Sequence, residues 1–108
     1  MHNMPNVLVV DDTPENVSLL KYMLKGTNAN VLTAFSGPEA LDLVNGKPLS
    51  LALIDIMMPE MDGYELAHKL STHNGVDKLP IIFLTAFNAG ESHILKGFDA
   101  GGVDYIIK

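Results

Sequence analysis

The chain has 108 residues, enough for one domain with a modest core, and its 47% apolar content is that of a folded globular protein rather than a disordered one. Thirteen acidic residues stand against seven lysines and no arginine, a net charge of −6 with no clustered lysines, which argues against a direct nucleic-acid binder. Cysteine is absent, removing disulfide and thiolate chemistry, and no apolar run nears the roughly 20 residues of a membrane span, so a cytoplasmic protein with no membrane partner is expected.

After a loose lead-in, Asn6 to Val10 is a short continuous apolar run of the kind that forms a strand buried on both faces. Asp11 and Asp12 follow it directly. Thr13, Pro14 and Glu15 then supply an N-cap, a proline at the first helical position and an early acid. The helix they open carries Val17, Leu20 and Leu24 on one stripe and is expected to stop near Gly26. A second strand, about Asn30 to Ala34, runs into Ser36-Gly-Pro-Glu39, a capping box. The helix behind it buries Ala40, Leu41 and Val44 and ends at Gly46.

Leu51 to Asp55 is the third apolar run, and it presents one carboxylate, Asp55, at its carboxyl end. The capping duty for the next helix belongs to Asp62, with Glu65 three residues on, which leaves Asp55 without that role. The third helix uses Leu66, Ala67 and Leu70 as its inner stripe. Pro80 to Leu84 reads as strand four, ending at Thr85, and Val103 to Ile107 as strand five, followed by Lys108. Between them a fourth helix, about residues 89 to 100, carries Ile94, Leu95 and Phe98. It also holds an interior Gly97, which weakens a helix by roughly 1 kcal/mol against alanine.

Strands alternating with helices of this length imply βαβ units, hence an α/β fold with a doubly wound, five-stranded parallel sheet. Right-handed crossovers place helices on both faces. The carboxyl ends of the strands then meet along one edge, bringing together Asp11, Asp12, Asp55, Thr85 and Lys108. Three carboxylates at one edge repel unless a cation neutralises them. Hard oxygen ligands, without cysteine or a suitable set among His2, His68, His73 and His93, favour magnesium, with manganese as a substitute. A threonine hydroxyl and a lysine point charge suit a phosphoryl group, and an aspartate can act as its nucleophile.

Four segments carry a resemblance over essentially the whole length. They are Val7-Leu-Val-Val-Asp11-Asp12, Asp55-Ile-Met-Met-Pro59-Glu-Met-Asp-Gly63, Leu84-Thr85-Ala86 and Gly101-Gly-Val-Asp-Tyr105-Ile-Ile-Lys108. The chain resembles the receiver domain of two-component response regulators, with its flavodoxin-like fold. The resemblance implies that Asp55 is the phosphoacceptor, taking its group from a sensor histidine kinase or phosphotransfer protein. It implies Asp12 as a direct magnesium ligand, Asp11 as one acting through water, and the backbone carbonyl of Met57 as a further ligand. Thr85 resembles the switch hydroxyl, Lys108 the phosphate-binding lysine and Tyr105 the aromatic that follows the threonine. The partners implied are that phosphodonor and an output domain or downstream protein, reached through the fourth helix and fifth strand. The stretch 97–105 looks most like receivers attached to hybrid kinases or cyclic-dinucleotide enzymes.

Two rival classes differ in specific residues. An aspartate-nucleophile phosphohydrolase of the haloacid-dehalogenase type resembles Asp-x-Asp after strand one, and here the third position is Thr13. A receiver-like scaffold that takes no phosphate requires a gap in the constellation, and none is present. A phosphorylation-dependent switch, not a conventional enzyme, is the expected function. The family continues past the lysine with a proline and a fifth helix, so residues 1–108 read as a receiver domain truncated after strand five. A sheet face left bare in this way leads us to expect either self-association as a homodimer or marginal stability.

Overall fold

Five short apolar runs pair side by side as one parallel sheet. The computed structural model describes residues 4–73, 79–85 and 104–107, with the backbone alone described at 73, 85 and 104–107. Strands β1 (Asn6–Val10), β2 (Asn30–Ala34), β3 (Leu51–Asp55), β4 (Ile81–Thr85) and β5 (Asp104–Ile107) lie in the order β2-β1-β3-β4-β5. Helices α1 (Pro14–Met23), α2 (Gly37–Leu43) and α3 (Gly63–His73) connect the first four. The expected fourth helix and Lys108 lie outside the described residues.

Strand alternation sorts the side chains into two layers. Leu8, Val10, Ala52, Ile54, Ile81 and Phe83 point into the larger core, which α2 and α3 close with Ala40, Val44, Leu66, Ala67 and Leu70. Val9 and Leu53 point the other way, onto Val17, Leu20 and Leu24 of α1. Among the described residues, helices therefore lie on both faces of the sheet, as a doubly wound fold requires, with α1 over the β2-β1-β3 side of the second face. Burying a leucine such as Leu66 or Leu70, both fully enclosed, stabilises by about 1.5–3 kcal/mol. Tyr64 meets Phe83 edge-on with ring centroids 5.0 Å apart, tying the start of α3 to β4.

The bounds of β1, β2 and β3 are those expected. Strand β4 starts one residue late, because Pro80 has no N–H to give the ladder; its carbonyl only accepts from the Ala52 N–H at 3.1 Å. Helix α1 ends at Met23 instead of near Gly26, with Leu24 at its C-cap, and α2 ends at Leu43, short of Gly46, whose φ is +76°. The outward side of α1 was not anticipated. Leu19, Tyr22 and Met23, spaced i, i+3, i+4, are 58%, 72% and 67% exposed. They form a second apolar stripe along the C-terminal half of the helix.

Candidate functional site

Register places the site. Val10 of β1 pairs with Ile54 of β3, and Asp55 pairs with Leu84 of β4, so Asp11 and Asp55 leave adjacent strands at the same edge. These strands neighbour each other in space but not in sequence, the arrangement that opens a crevice outside the carboxyl ends of a parallel sheet. Asp11 is 0% exposed and Asp55 2%, whereas Asp12 faces solvent. One carboxylate oxygen from each of Asp11, Asp12 and Asp55 lies within 4.8 Å of the others. Two like charges at such a separation repel by about 3–4 kcal/mol at an effective dielectric near 20. Solvent screens Asp12, but little of it reaches the two buried members.

That donor set fits a hard divalent cation: it is all oxygen, three carboxylates deep, and half open to water through Asp12. Among the described residues these three aspartates are the group able to hold a metal ion.

Local chain geometry fixes each member. The Asp11 N–H donates to the Ala34 carbonyl at 3.2 Å, anchoring the residue to the end of β2. Its Oδ1 accepts from the Thr13 N–H at 2.9 Å, and its Oδ2 from the Asn16 side-chain amide at 3.3 Å. The expected cap is corrected here. Thr13 holds the N-cap position in an extended conformation, but its side chain makes no capping hydrogen bond. Asp11 instead holds the N-cap residue itself by accepting the Thr13 N–H, so Asp11 has a structural part beside its place in the cluster. The other two caps are as expected: Ser36 Oγ accepts from the Glu39 N–H at 3.2 Å, and Asp62 Oδ1 from the Glu65 N–H at 2.9 Å. Asp55 also takes part locally, accepting from the Met57 N–H at 3.4 Å.

The loop after Asp55 is tightly folded. The Met61 N–H donates to the Pro59 carbonyl at 2.8 Å, closing a three-residue turn on Glu60, which has φ +70°. The Gly63 N–H donates to the Ile56 carbonyl at 2.9 Å, pulling the start of α3 against the site strand. Met57 projects outward beside the carboxylates, 68% exposed, while Met58 is buried.

Thr85 ends β4, one position beyond the partner of Asp55, and pairs with Ile107; Tyr105 pairs with Phe83. The backbone thus brings both to the strands expected of them, with Thr85 at the edge where Asp55 lies. Their side chains, and all of Lys108, are outside the described residues. Asn16 and the left-handed Glu60 escaped the sequence reading. The signal for Asn16 was an amide at the third helical position, where a capping-box residue reaches back.

The model of the response regulator receiver domain matches residues 7–108. The chain belongs to that family. Among curated proteins it is 37% identical over 102 residues to a "Probable cyclic di-GMP phosphodiesterase" of Vibrio cholerae, covering 94% of this chain and 23% of that protein. It is 38% identical over 102 residues to "Response regulator GtcR" of Aneurinibacillus migulanus, covering 94% of this chain and 40% of the relative. The chain therefore spans less than half the length of these relatives. Among solved structures, the chemotaxis protein CheY4 of Vibrio cholerae superposes with a TM-score of 0.88 at 26% identity, over 98% of this chain and 88% of the other. A putative response regulator of Chloroflexus aurantiacus gives 0.87 at 33% identity, over 98% and 86%. Receiver domains serve phosphorylation-dependent signalling in two-component systems and are signalling domains, not conventional enzymes. Among the described residues, no helix is long and apolar enough to cross a membrane.

Proposed function

We propose that this domain is a signalling switch whose Asp55 accepts a phosphoryl group from the phosphohistidine of a sensor histidine kinase or phosphotransfer protein. One observation carries the reading: a buried carboxylate ends the central strand, and two further carboxylates converge on it within 4.8 Å. In the transfer, an Asp55 oxygen attacks phosphorus; the oxygen–phosphorus bond forms as the nitrogen–phosphorus bond breaks, and the imidazole leaves with the electron pair. Burial of Asp55 excludes bulk water from that oxygen, so the phosphodonor meets it in place of solvent.

Asp11, Asp12, Asp55 and the Met57 carbonyl would hold the cation. A bound Mg2+ supplies positive charge that offsets the carboxylates and the incoming phosphoryl oxygens. Thr85 and Lys108 take the phosphoryl oxygens by hydroxyl and ammonium, and Tyr105 follows Thr85, so that the fourth helix and β5 change their affinity for an output domain or downstream protein. The outward stripe of α1, Leu19, Tyr22 and Met23, gives the donor apolar ground to settle on along the helix that follows Asp12.

Transfer of radiolabel from a phosphorylated kinase tests the reading. Label should pass to the parent chain in the presence of Mg2+ and should be absent from Asp55→Asn. Equal labelling of that variant would place the acceptor elsewhere.

A further inference from the structure

We propose that Asn16 is a positioning residue of the cation site, acting through Asp11; the inference rests on reading the carboxylate cluster as a place for a divalent ion. Asn16 is half-buried in the first turn of α1, and its side-chain amide donates to Asp11 Oδ2 at 3.3 Å. The opposite amide orientation would set its carbonyl oxygen against the carboxylate, acceptor to acceptor, so the nitrogen faces Asp11. On the other oxygen, the Thr13 N–H donates to Oδ1 at 2.9 Å.

A carboxylate held at both oxygens by two donors from different directions cannot rotate about its Cβ–Cγ bond. With Asp11 held in this orientation, one oxygen from each of Asp11, Asp12 and Asp55 lies within 4.8 Å of the others. Of these two donors Asn16 is the side chain, so it can be changed by substitution while the Thr13 N–H stays in place. Helix stability does not explain an asparagine here, since alanine is the better helix former. The amide does what an alanine cannot: it fixes Asp11 while adding no charge to a site that already holds three carboxylates.

The test is Mn2+ affinity, followed by electron paramagnetic resonance on the full chain, with the melting temperature of the chelator-treated protein measured beside it. Asn16→Ala should bind Mn2+ about three- to tenfold more weakly at an unchanged or higher metal-free melting temperature. Asn16→Ser, with a shorter donor, should recover part of the affinity. Asn16→Asp should lower the metal-free melting temperature, because it sets a fourth carboxylate against Asp11, and Mn2+ should restore it. Parent-like affinity in Asn16→Ala overturns the proposal while leaving the cation site standing, as does a loss matched by a fall in metal-free melting temperature. A parent chain that binds no Mn2+ overturns the cation site and the proposal together.

Discussion

Gly63 stands against the backbone of Asp55. A Cβ at position 63 would run into the Asp55 carbonyl oxygen and approach Ile56 Cα to 2.9 Å. Both obstacles are main chain of the site strand, so neither can yield without moving Asp55.

Gly63→Ala should therefore destabilise the fold by about 1–3 kcal/mol, the usual cost of overpacking, and weaken divalent-cation binding as well. Gly37 offers the contrast. The nearest atoms to a Cβ there all belong to the Met61 side chain, Sδ at 2.7 Å, Cβ at 3.0 Å and Cγ at 3.1 Å, with no main chain among them. Gly37→Ala should cost under about 1 kcal/mol, since methionine repacks readily. Chemical denaturation of both variants checks the difference; equal losses would mean that main-chain contact is not what matters.

Glu60 holds φ +70° without being a glycine, a conformation that costs an L-residue roughly 1–2 kcal/mol. Glu60→Gly removes that strain and gives back part of it as entropy of the unfolded chain. The expected net gain is up to about 1 kcal/mol, a rise of about 4–8 °C in melting temperature. Glu60→Val should move it the other way. Calorimetry decides between them.

The carboxylate cluster predicts a dependence on cations. In chelator, Asp55→Asn should melt higher than the parent, by the equivalent of about 1–3 kcal/mol, because it removes repulsion between buried groups. Saturation with Mg2+ at about 100 times its dissociation constant should stabilise the parent by about 2.7 kcal/mol. Affinity should fall sharply in Asp12→Ala and less in Asp11→Ala, by titration calorimetry. Parent-like affinity in Asp12→Ala would remove it from the ligand set.

Met57 bears on the lifetime of a phosphorylated Asp55. Its exposed side chain beside the carboxylates offers no group able to align an attacking water. Slow loss of phosphate is expected, and Met57→Asn should change the rate severalfold, read by release of inorganic phosphate. An unchanged rate would exclude this side chain from control.

The outward stripe of α1 yields a prediction that separates docking from chemistry. Tyr22→Ala with Leu19→Glu should slow transfer from a kinase about tenfold or more. Both residues are exposed, so stability should change by less than about 0.5 kcal/mol. Labelling by a small phosphodonor such as acetyl phosphate should stay as in the parent. Equal slowing with both donors would assign these residues to the site itself.

Much of this was legible in the chain because buried strands are written as apolar runs between turn signals. Asn6–Val10, Asn30–Ala34 and Leu51–Asp55 could be bounded that way, and the acids that follow β1 and close β3 fell at one edge as a consequence of parallel pairing. What escaped depends on direction and not on residue type. Thr13 has the composition of a capping residue, yet its side chain makes no capping bond and its own N–H goes to Asp11 two residues back. The Asn16 amide reaches Asp11 only because the first helical turn folds back over the end of β1. The outward apolar side of α1 was hidden because its inner stripe, Val17, Leu20 and Leu24, already accounted for the helix.

The pairing of Val10 with Ile54 also has a bearing on time. Helices α1 and α2 can form from neighbours in the chain, but β1 meets β3 only after both helices and β2 have been enclosed in the loop between them, and such long-range pairing comes late. The carboxylates are therefore expected to gather after most secondary structure exists. On that ordering a cation is expected to be captured late, after the early collapse of the chain. In refolding, helical circular dichroism should rise before any signal from bound Mn2+.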